Sequence, residues 1–181
     1  MAKKEQEIIL GVTGSVASYK ACDIANLLRK NRYGVIPILT REAREFITPL
    51  ALQTLACHKV FLDMFELPEE WDPVHISLAD RADLVLIAPA TANIIGKLAN
   101  GICDDLLTCV VFATHAPVLL APAMNEAMYT HRVVRENIAK LKRIGYTFVG
   151  PVKGHLACGR EGLGHLAPAE EIVAQVKRLL R

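Results

Sequence analysis

Strand-like and helix-like patterns alternate along this chain, and the alternation constrains its fold more than any other feature of the sequence. Short runs rich in Val, Ile and Leu are each followed by a stretch whose apolar residues recur every three or four positions. This order is typical of a parallel sheet covered by helices on both faces. We therefore predict an α/β fold: a single three-layer, Rossmann-like domain over residues 1–181, with a doubly wound parallel sheet of about six strands.

The predicted elements follow directly from these patterns. Strands are expected at residues 7–12, 34–39, 59–62, 83–88, 117–121 and 146–149. Helices are expected at residues 15–30, 41–55, 75–82, 91–101, 104–114 and 170–180. A break is expected near Thr48 and Pro49, and a long amphipathic helix should run through Ile144 until Gly145 ends it. Residues 66–73 and 151–167 are predicted to be loops, the second one rich in glycine.

Composition narrows the class of protein. Apolar residues make up 52% of the 181 positions and charged residues 22%, which is typical of a globular chain. The net charge is only +2 and the basic residues are scattered, so we expect no nucleic-acid partner. No apolar run approaches the roughly 18 residues that span a bilayer, and the N-terminus lacks the apolar core of a signal peptide. We expect a cytoplasmic protein without a membrane partner.

The five cysteines form an odd set without a CxxC pair. This argues against a disulfide framework and against a zinc ribbon. Four of them are predicted to be small buried hydrophobic residues, whereas Cys158 lies among glycines in a segment without hydrophobic periodicity. The spacing of His155 and Cys158 resembles half of a metal site, but no second pair completes it, and we expect no metal.

Polar and glycine-containing turns follow the predicted strands, and ligands of doubly wound sheets bind beyond those strand ends. The turns are residues 11–15 (GVTGS), Thr40, residues 89–93 (PATAN), residues 122–125 (PAMN) and the loop 151–167. Helix N–H groups and the Ser15 hydroxyl suit a phosphate, and the absence of GxGxxG favours a mononucleotide over NAD. Taken singly, each turn is equally well explained as an ordinary helix cap.

Three further segments are candidates for chemistry. Asn125, between Met124 and Met128, is suited to bind a carboxylate beside an apolar wall, although it also fits a capping role. Residues 154–164 contain four glycines in eleven positions, which is costly to order and favours a flap that closes over a ligand, with a surface loop as the alternative. His75, considered alone, is more often structural than catalytic.

Five segments, in this order along the whole chain, resemble the homo-oligomeric flavin-containing cysteine decarboxylases: GVTGSVASYK, PVHIS, APATANI, PAMNEAMY and LACGREGLG. The resemblance implies an FMN-dependent carboxy-lyase of flavoprotein fold that converts 4′-phosphopantothenoylcysteine to 4′-phosphopantetheine in coenzyme A biosynthesis. It also implies a small-molecule substrate and a homo-oligomer, either a trimer or a dodecamer of four trimers. A stand-alone decarboxylase and one domain of a synthetase fusion are both compatible with it.

The resemblance also implies residue roles. His75 is the acid/base residue at the flavin, and Cys158 donates a proton late in the reaction. The implied substrate-binding residues are Asn125, which holds the carboxylate, Met128, Leu156 and Ala157. The implied FMN-binding residues are Gly14, Ser15, Val16, Thr40, Phe46, Thr91, Ala92, Asn93 and Ala123.

Two positions depart from the family's pattern, since Ile94 replaces a frequent Thr and Tyr129 replaces a Trp. Three alternatives remain open: a peptidyl-cysteine decarboxylase, a flavin prenyltransferase and a non-enzymatic regulatory subunit. Cys158 separates the first, because decarboxylation of a peptide stops at the enethiol and needs no late proton donor. PVHIS and PAMN are foreign to prenyltransferases, and regulatory subunits lose part of the set His75, Asn125 and Cys158.

Overall fold

The computed structural model describes residues 5–65, 73–155, 159 and 161–181. Three of the predicted site residues, Leu156, Ala157 and Cys158, lie outside these ranges. Within them, none of the helices combines the length and the apolar character that crossing a membrane requires.

A parallel sheet of five strands forms the middle layer, in the order β2-β1-β3-β4-β5. Its strands are β1 (Glu7–Val12), β2 (Gly34–Leu39), β3 (Leu84–Ala90), β4 (Val118–Pro122) and β5 (Thr147–Phe148). Every residue of β3 and β4 is buried. Helices cover both faces of these strands, and this is why their sequences are continuous apolar runs without alternation.

Eight α-helices complete the described chain: α1 (Ala21–Lys30), α2 (Pro49–Ala56), α3 (Val74–Arg81), α4 (Ala92–Asn100), α5 (Leu106–Ala113), α6 (Glu126–Thr130), α7 (Arg132–Arg143) and α8 (Ala169–Leu179). Helix α1 contacts α2 and α8, while α3 contacts α5 and α4 contacts α7. Successive residues of β3 pack into two separate hydrophobic cores. Leu84 and Leu86 belong to one core, and Val85 and Ile87 belong to the other. The predicted three-layer α/β fold is therefore confirmed.

The predicted number of strands was wrong. Residues 59–62 contribute only an isolated bridge between Ile38 and Phe61, so the parallel sheet has five strands rather than about six. The predicted loop 151–167 contains an antiparallel pair, β6 (Val152–His155) and β7 (Glu161–His165). Glycines interrupt both strands, so their sequences lack the alternation of apolar and polar residues by which a strand is recognised.

Three predicted helices are divided. A 3-10 helix, Val16–Lys20, precedes α1, and a second one, Arg41–Glu45, precedes α2. The predicted break at Thr48 and Pro49 is confirmed, because Thr48 caps α2 and Pro49 occupies its first turn. The long amphipathic helix is divided into α6 and α7 at His131, whose Nδ1 accepts a hydrogen bond from the N–H of Val133 at 3.3 Å.

Candidate functional site

A cavity of about 280 Å³ opens at the carboxyl edge of the sheet, and we refer to it as the sheet-edge cavity. Turns that follow β1, β2, β3 and β4 supply most of its wall, and the loop before α5 supplies the rest. Its lining consists of Thr13, Gly14, Ser15, Thr40, Glu42, Thr91, Ala92, Asn93, Ile94, Asp105, Ala123, Met124 and Met128. Ligands of open α/β sheets bind at this edge.

Most of the residues predicted to bind FMN lie together here. The lining includes Gly14, Ser15, Thr40, Thr91, Ala92, Asn93 and Ala123. Val16 and Phe46 lie outside it, with 54% and 50% of their surfaces exposed. Met128, predicted to contact substrate, also lines the cavity and is exposed. Four separate turns thus converge on one concave surface.

Two turns of the cavity wall offer neutral groups to an anion. The lining residues among the described part of the chain include hydroxyls from threonine and serine and two acidic side chains, Glu42 and Asp105, but neither Lys nor Arg. At the first turn, a Cβ added to Gly14 would collide with the side chain of Glu42, so only glycine lets these two segments approach. At the third turn, Thr91 caps α4 and leaves the backbone N–H groups of that helix start at the cavity wall.

Asp105 and Lys97 stabilise the wall near α5. Asp105 caps this helix by accepting the N–H of Thr108 at 2.8 Å, and its other oxygen accepts from Lys97 Nζ at 2.8 Å. Lys97 also contacts Asp104, at 2.7 Å. Burial acts to raise the pKa of Asp105, but hydrogen bonds from Lys97 and Thr108 outweigh it, and the pKa lies below its usual value. The carboxylate therefore stays ionised at neutral pH.

Asn125 lies in the turn after β4, between two lining residues, Met124 and Met128. Its Oδ1 accepts a hydrogen bond from the N–H of Ala127 at 2.9 Å and so caps α6, which confirms the capping alternative. The cap fixes the side chain through its oxygen, and the amide nitrogen is the atom able to donate to a carboxylate. The cap and the predicted carboxylate contact therefore use different atoms of this side chain.

The base of the predicted flap is attached to the Asn125 turn. The N–H of Met124 donates to the carbonyl of Gly164 at 3.0 Å, and the N–H of Leu163 donates to Glu126 Oε1, also at 3.0 Å. A Cβ added to Gly164 would overlap the carbonyl oxygen of Met124, so this approach requires glycine. Strand β7 and the turn after β4 are consequently held as one unit.

His75 occupies a different place. It lies half-buried in the first turn of α3, a helix that packs on α5, and it does not line the sheet-edge cavity. The cavity therefore brings together most of the predicted cofactor residues and Met128, whereas neither Asn125 nor His75 is among its lining residues.

Five lining residues were not among the predicted site residues: Thr13, Ile94 and Met124, which lie within the predicted motifs, and Glu42 and Asp105, which lie outside them. Asp105 had a signal in the sequence, because an Asp followed three positions later by Thr at the start of an apolar run is typical of a helix N-cap. Glu42 had none, since its place on the wall depends on the approach of Gly14.

Comparisons with known proteins extend over nearly all of the chain. The model of the family described as Flavoprotein matches residues 1–181. The coenzyme A biosynthesis bifunctional protein CoaBC of Bacillus subtilis (strain 168) is 46% identical over 168 residues, which are 93% of this chain and 41% of that protein. The chain thus spans less than half the length of this bifunctional relative. A probable phosphopantothenoylcysteine decarboxylase of Streptococcus mutans serotype c is 40% identical over 177 residues, 97% of this chain and 99% of that protein.

Solved structures show the same likeness. A PPC decarboxylase mutant complexed with pantothenoylaminoethenethiol has a TM-score of 0.86 at 31% identity, covering 97% of this chain and 98% of that one. The FMN binding protein AtHal3 has a TM-score of 0.82 at 31% identity, covering 97% of this chain and 96% of that one.

Proposed function

We propose, from the premise that this chain belongs to the Flavoprotein family, that it binds FMN in the sheet-edge cavity and decarboxylates 4′-phosphopantothenoylcysteine to 4′-phosphopantetheine. The observation that carries the proposal is the convergence of the motif-derived cofactor residues on one cavity. The names of the relatives from Bacillus subtilis and Streptococcus mutans support the coenzyme A pathway, and the names of the structural neighbours support FMN and a cysteine-derived carboxylate.

The residues at the cavity fit the cofactor. Gly14, Ser15 and the turn of Thr91 to Asn93 would hold the phosphate through hydroxyls and backbone N–H groups. Thr40 and Ala123 would contact the rest of the cofactor. Bound FMN supplies a reversible hydride acceptor, which makes loss of CO₂ from an otherwise unactivated cysteine carboxylate feasible.

The chain's own residues then bind the substrate and move protons. Asn125 donates its amide N–H to the substrate carboxylate beside the apolar wall of Met128. His75 acts as the acid/base residue, and Cys158 donates the proton that completes the saturated thiol product. Leu156 and Ala157, next to Cys158 in the flap, complete the substrate contacts.

The position of His75 supports a homo-oligomer in which each cavity is completed by α3 of another copy. His75 lies apart from the cavity of its own chain, although its proposed role requires contact with the reacting atoms. We infer a trimer, or a dodecamer of four trimers, acting on a small-molecule substrate in the cytoplasm.

The product made from 4′-phosphopantothenoylcysteine tests the function. Purified full chain loaded with FMN should release CO₂ and yield 4′-phosphopantetheine, identified by mass. Reaction only with peptides that end in cysteine, or a product that stops at the enethiol, would favour the peptidyl-cysteine alternative. A chain that takes up no FMN would refute the proposal altogether.

Asn125→Asp should raise the KM for 4′-phosphopantothenoylcysteine about 10- to 100-fold, because an anionic acceptor replaces the donor that faces the substrate carboxylate. The aspartate keeps an oxygen for the N–H of Ala127, so α6 stays capped and FMN content should not change. Steady-state kinetics at neutral pH measure the effect. Asn26→Asp, the same change on α1, is the control, and an unaltered KM in Asn125→Asp would contradict the carboxylate contact.

A further inference from the structure

The two turns proposed to hold the phosphate come from distant parts of the chain and meet at one buried hydroxyl. Only 2% of Thr13 is exposed. Its Oγ1 donates to the carbonyl of Pro89 at 2.7 Å and accepts the N–H of Thr91 at 3.2 Å. A single hydroxyl therefore uses its donor and an acceptor position to join the end of β1 to the turn after β3.

The backbone of Thr13 is held in place from the other side. Ser18, which is fully buried, donates through Oγ to the carbonyl of Thr13 at 2.8 Å and accepts the N–H of Ser15 at 3.3 Å. Thr91 Oγ1 lies 3.4 Å from Thr13 Oγ1 and also accepts the N–H of Ile94. The Ser18 and Thr91 side chains thus bond to the backbone carbonyl and to the hydroxyl of Thr13, respectively, and we call this network between the two helix starts at the cavity the hydroxyl bridge.

We propose that Thr13 is the positioning residue that sets the spacing of the Gly14–Ser15 turn and the Thr91–Asn93 turn, and thereby makes the site selective for the phosphorylated flavin. The inference rests on the proposed binding of FMN. A phosphate monoester must meet donors from both turns at once, so a small displacement of either turn removes several hydrogen bonds together. Riboflavin lacks the phosphate and gains nothing from that spacing.

Thr13→Val tests the hydroxyl alone, because valine has nearly the shape of threonine but can neither donate nor accept a hydrogen bond. The carbonyl of Pro89 and the N–H of Thr91 would lose their partner in the interior and could recover it only by moving. Thr13→Val should therefore weaken FMN binding about tenfold or more and change riboflavin binding less than about twofold. Thr13→Ser keeps the hydroxyl and should restore FMN binding to within about threefold of the original chain.

Titration of the flavin-depleted full chain with FMN and with riboflavin, followed by flavin fluorescence, measures the ratio of the two dissociation constants. Thr54→Val is the matched control, since its hydroxyl donates to the carbonyl of Leu50 on the exposed side of α2. An equal loss for both flavins, or no loss for either, would overturn the role of Thr13. Should Thr13→Val not fold, Ser18→Ala interrupts the same hydroxyl bridge and must lower the affinity for FMN selectively.

Titration of the unsubstituted chain with both flavins distinguishes a failure of this inference from a failure of the proposed function. Binding of FMN and riboflavin with equal affinity would refute the phosphate selectivity and leave the flavin enzyme intact. Binding of neither flavin would refute the proposed function, and the role of Thr13 with it.

Discussion

His75→Asn should lower the rate of CO₂ release by about 10²–10⁴-fold while leaving the FMN content unchanged. Asparagine keeps a polar amide of similar reach, but it does not exchange a proton near neutral pH as imidazole does. FMN binding should persist, because the residues proposed to hold the phosphate, Gly14, Ser15 and the turn of Thr91 to Asn93, are unchanged. Single-turnover release of CO₂ from 4′-phosphopantothenoylcysteine measures the chemical step without interference from product release.

His115→Asn is the control, because His115 is exposed on the loop before β4. Mixing His75→Asn chains with Asn125→Asp chains tests the homo-oligomer in the same assay. If α3 of one copy serves the cavity of another, mixed oligomers contain some sites with both residues intact and should regain part of the activity. Full activity in His75→Asn alone would remove this residue from the reaction.

Cys158→Ser should still release CO₂ but should accumulate the oxidised enethiol, with at least about a hundredfold less saturated product. A thiol ionises near pH 8.5, whereas an aliphatic hydroxyl does so far above any pH at which proteins work, so serine is a very poor proton donor here. Mass spectrometry separates the two products, because the enethiol lacks two hydrogens.

The predicted burial of four cysteines was wrong, since Cys57 and Cys103 are exposed and Cys22 and Cys109 are only partly buried. Cys57→Ser is the matched control, because Cys57 lies at the end of α2, away from the cavity lining. Undiminished formation of 4′-phosphopantetheine by Cys158→Ser would assign the proton to another group. It would also remove the argument that separates a small-molecule decarboxylase from one that acts on peptides.

The parts of the fold that were predictable are those with local signals. The apolar run of β3 and the polar turn at Thr91 lie next to each other in the sequence, and both were placed correctly. Knowing that parallel strands end at one edge was then enough to bring this turn together with Gly14 and Ala123. Much of the cavity wall therefore followed from short segments and one rule of topology.

The rest depends on contacts between distant residues. Strand β7 has no apolar pattern in its sequence. Its position is set by the close approach of Gly164 to the Met124 carbonyl, and the residues around Gly164 do not predict that contact. The break at His131 depends on an imidazole that caps α7 in place of a commoner capping residue. His75 lies outside the cavity lining because α3 packs on α5. The hydrophobic periodicity of the sequence predicts a helix here but does not predict which helix it packs against.

The strand order also determines when the site comes into existence during synthesis. Strand β1 is made first but lies inside the sheet, and only β2 is available to pair with it until β3 has been translated. The Thr13 hydroxyl donates to the carbonyl of Pro89, which lies 76 residues later in the chain. Until residues 84–87 of β3 have been made, the edge of β1 that faces β3 stays unpaired, and an unpaired strand edge is the kind of surface that chaperones shield. The wall of the sheet-edge cavity is accordingly complete only after β4 and the turn that contains Ala123 have been made.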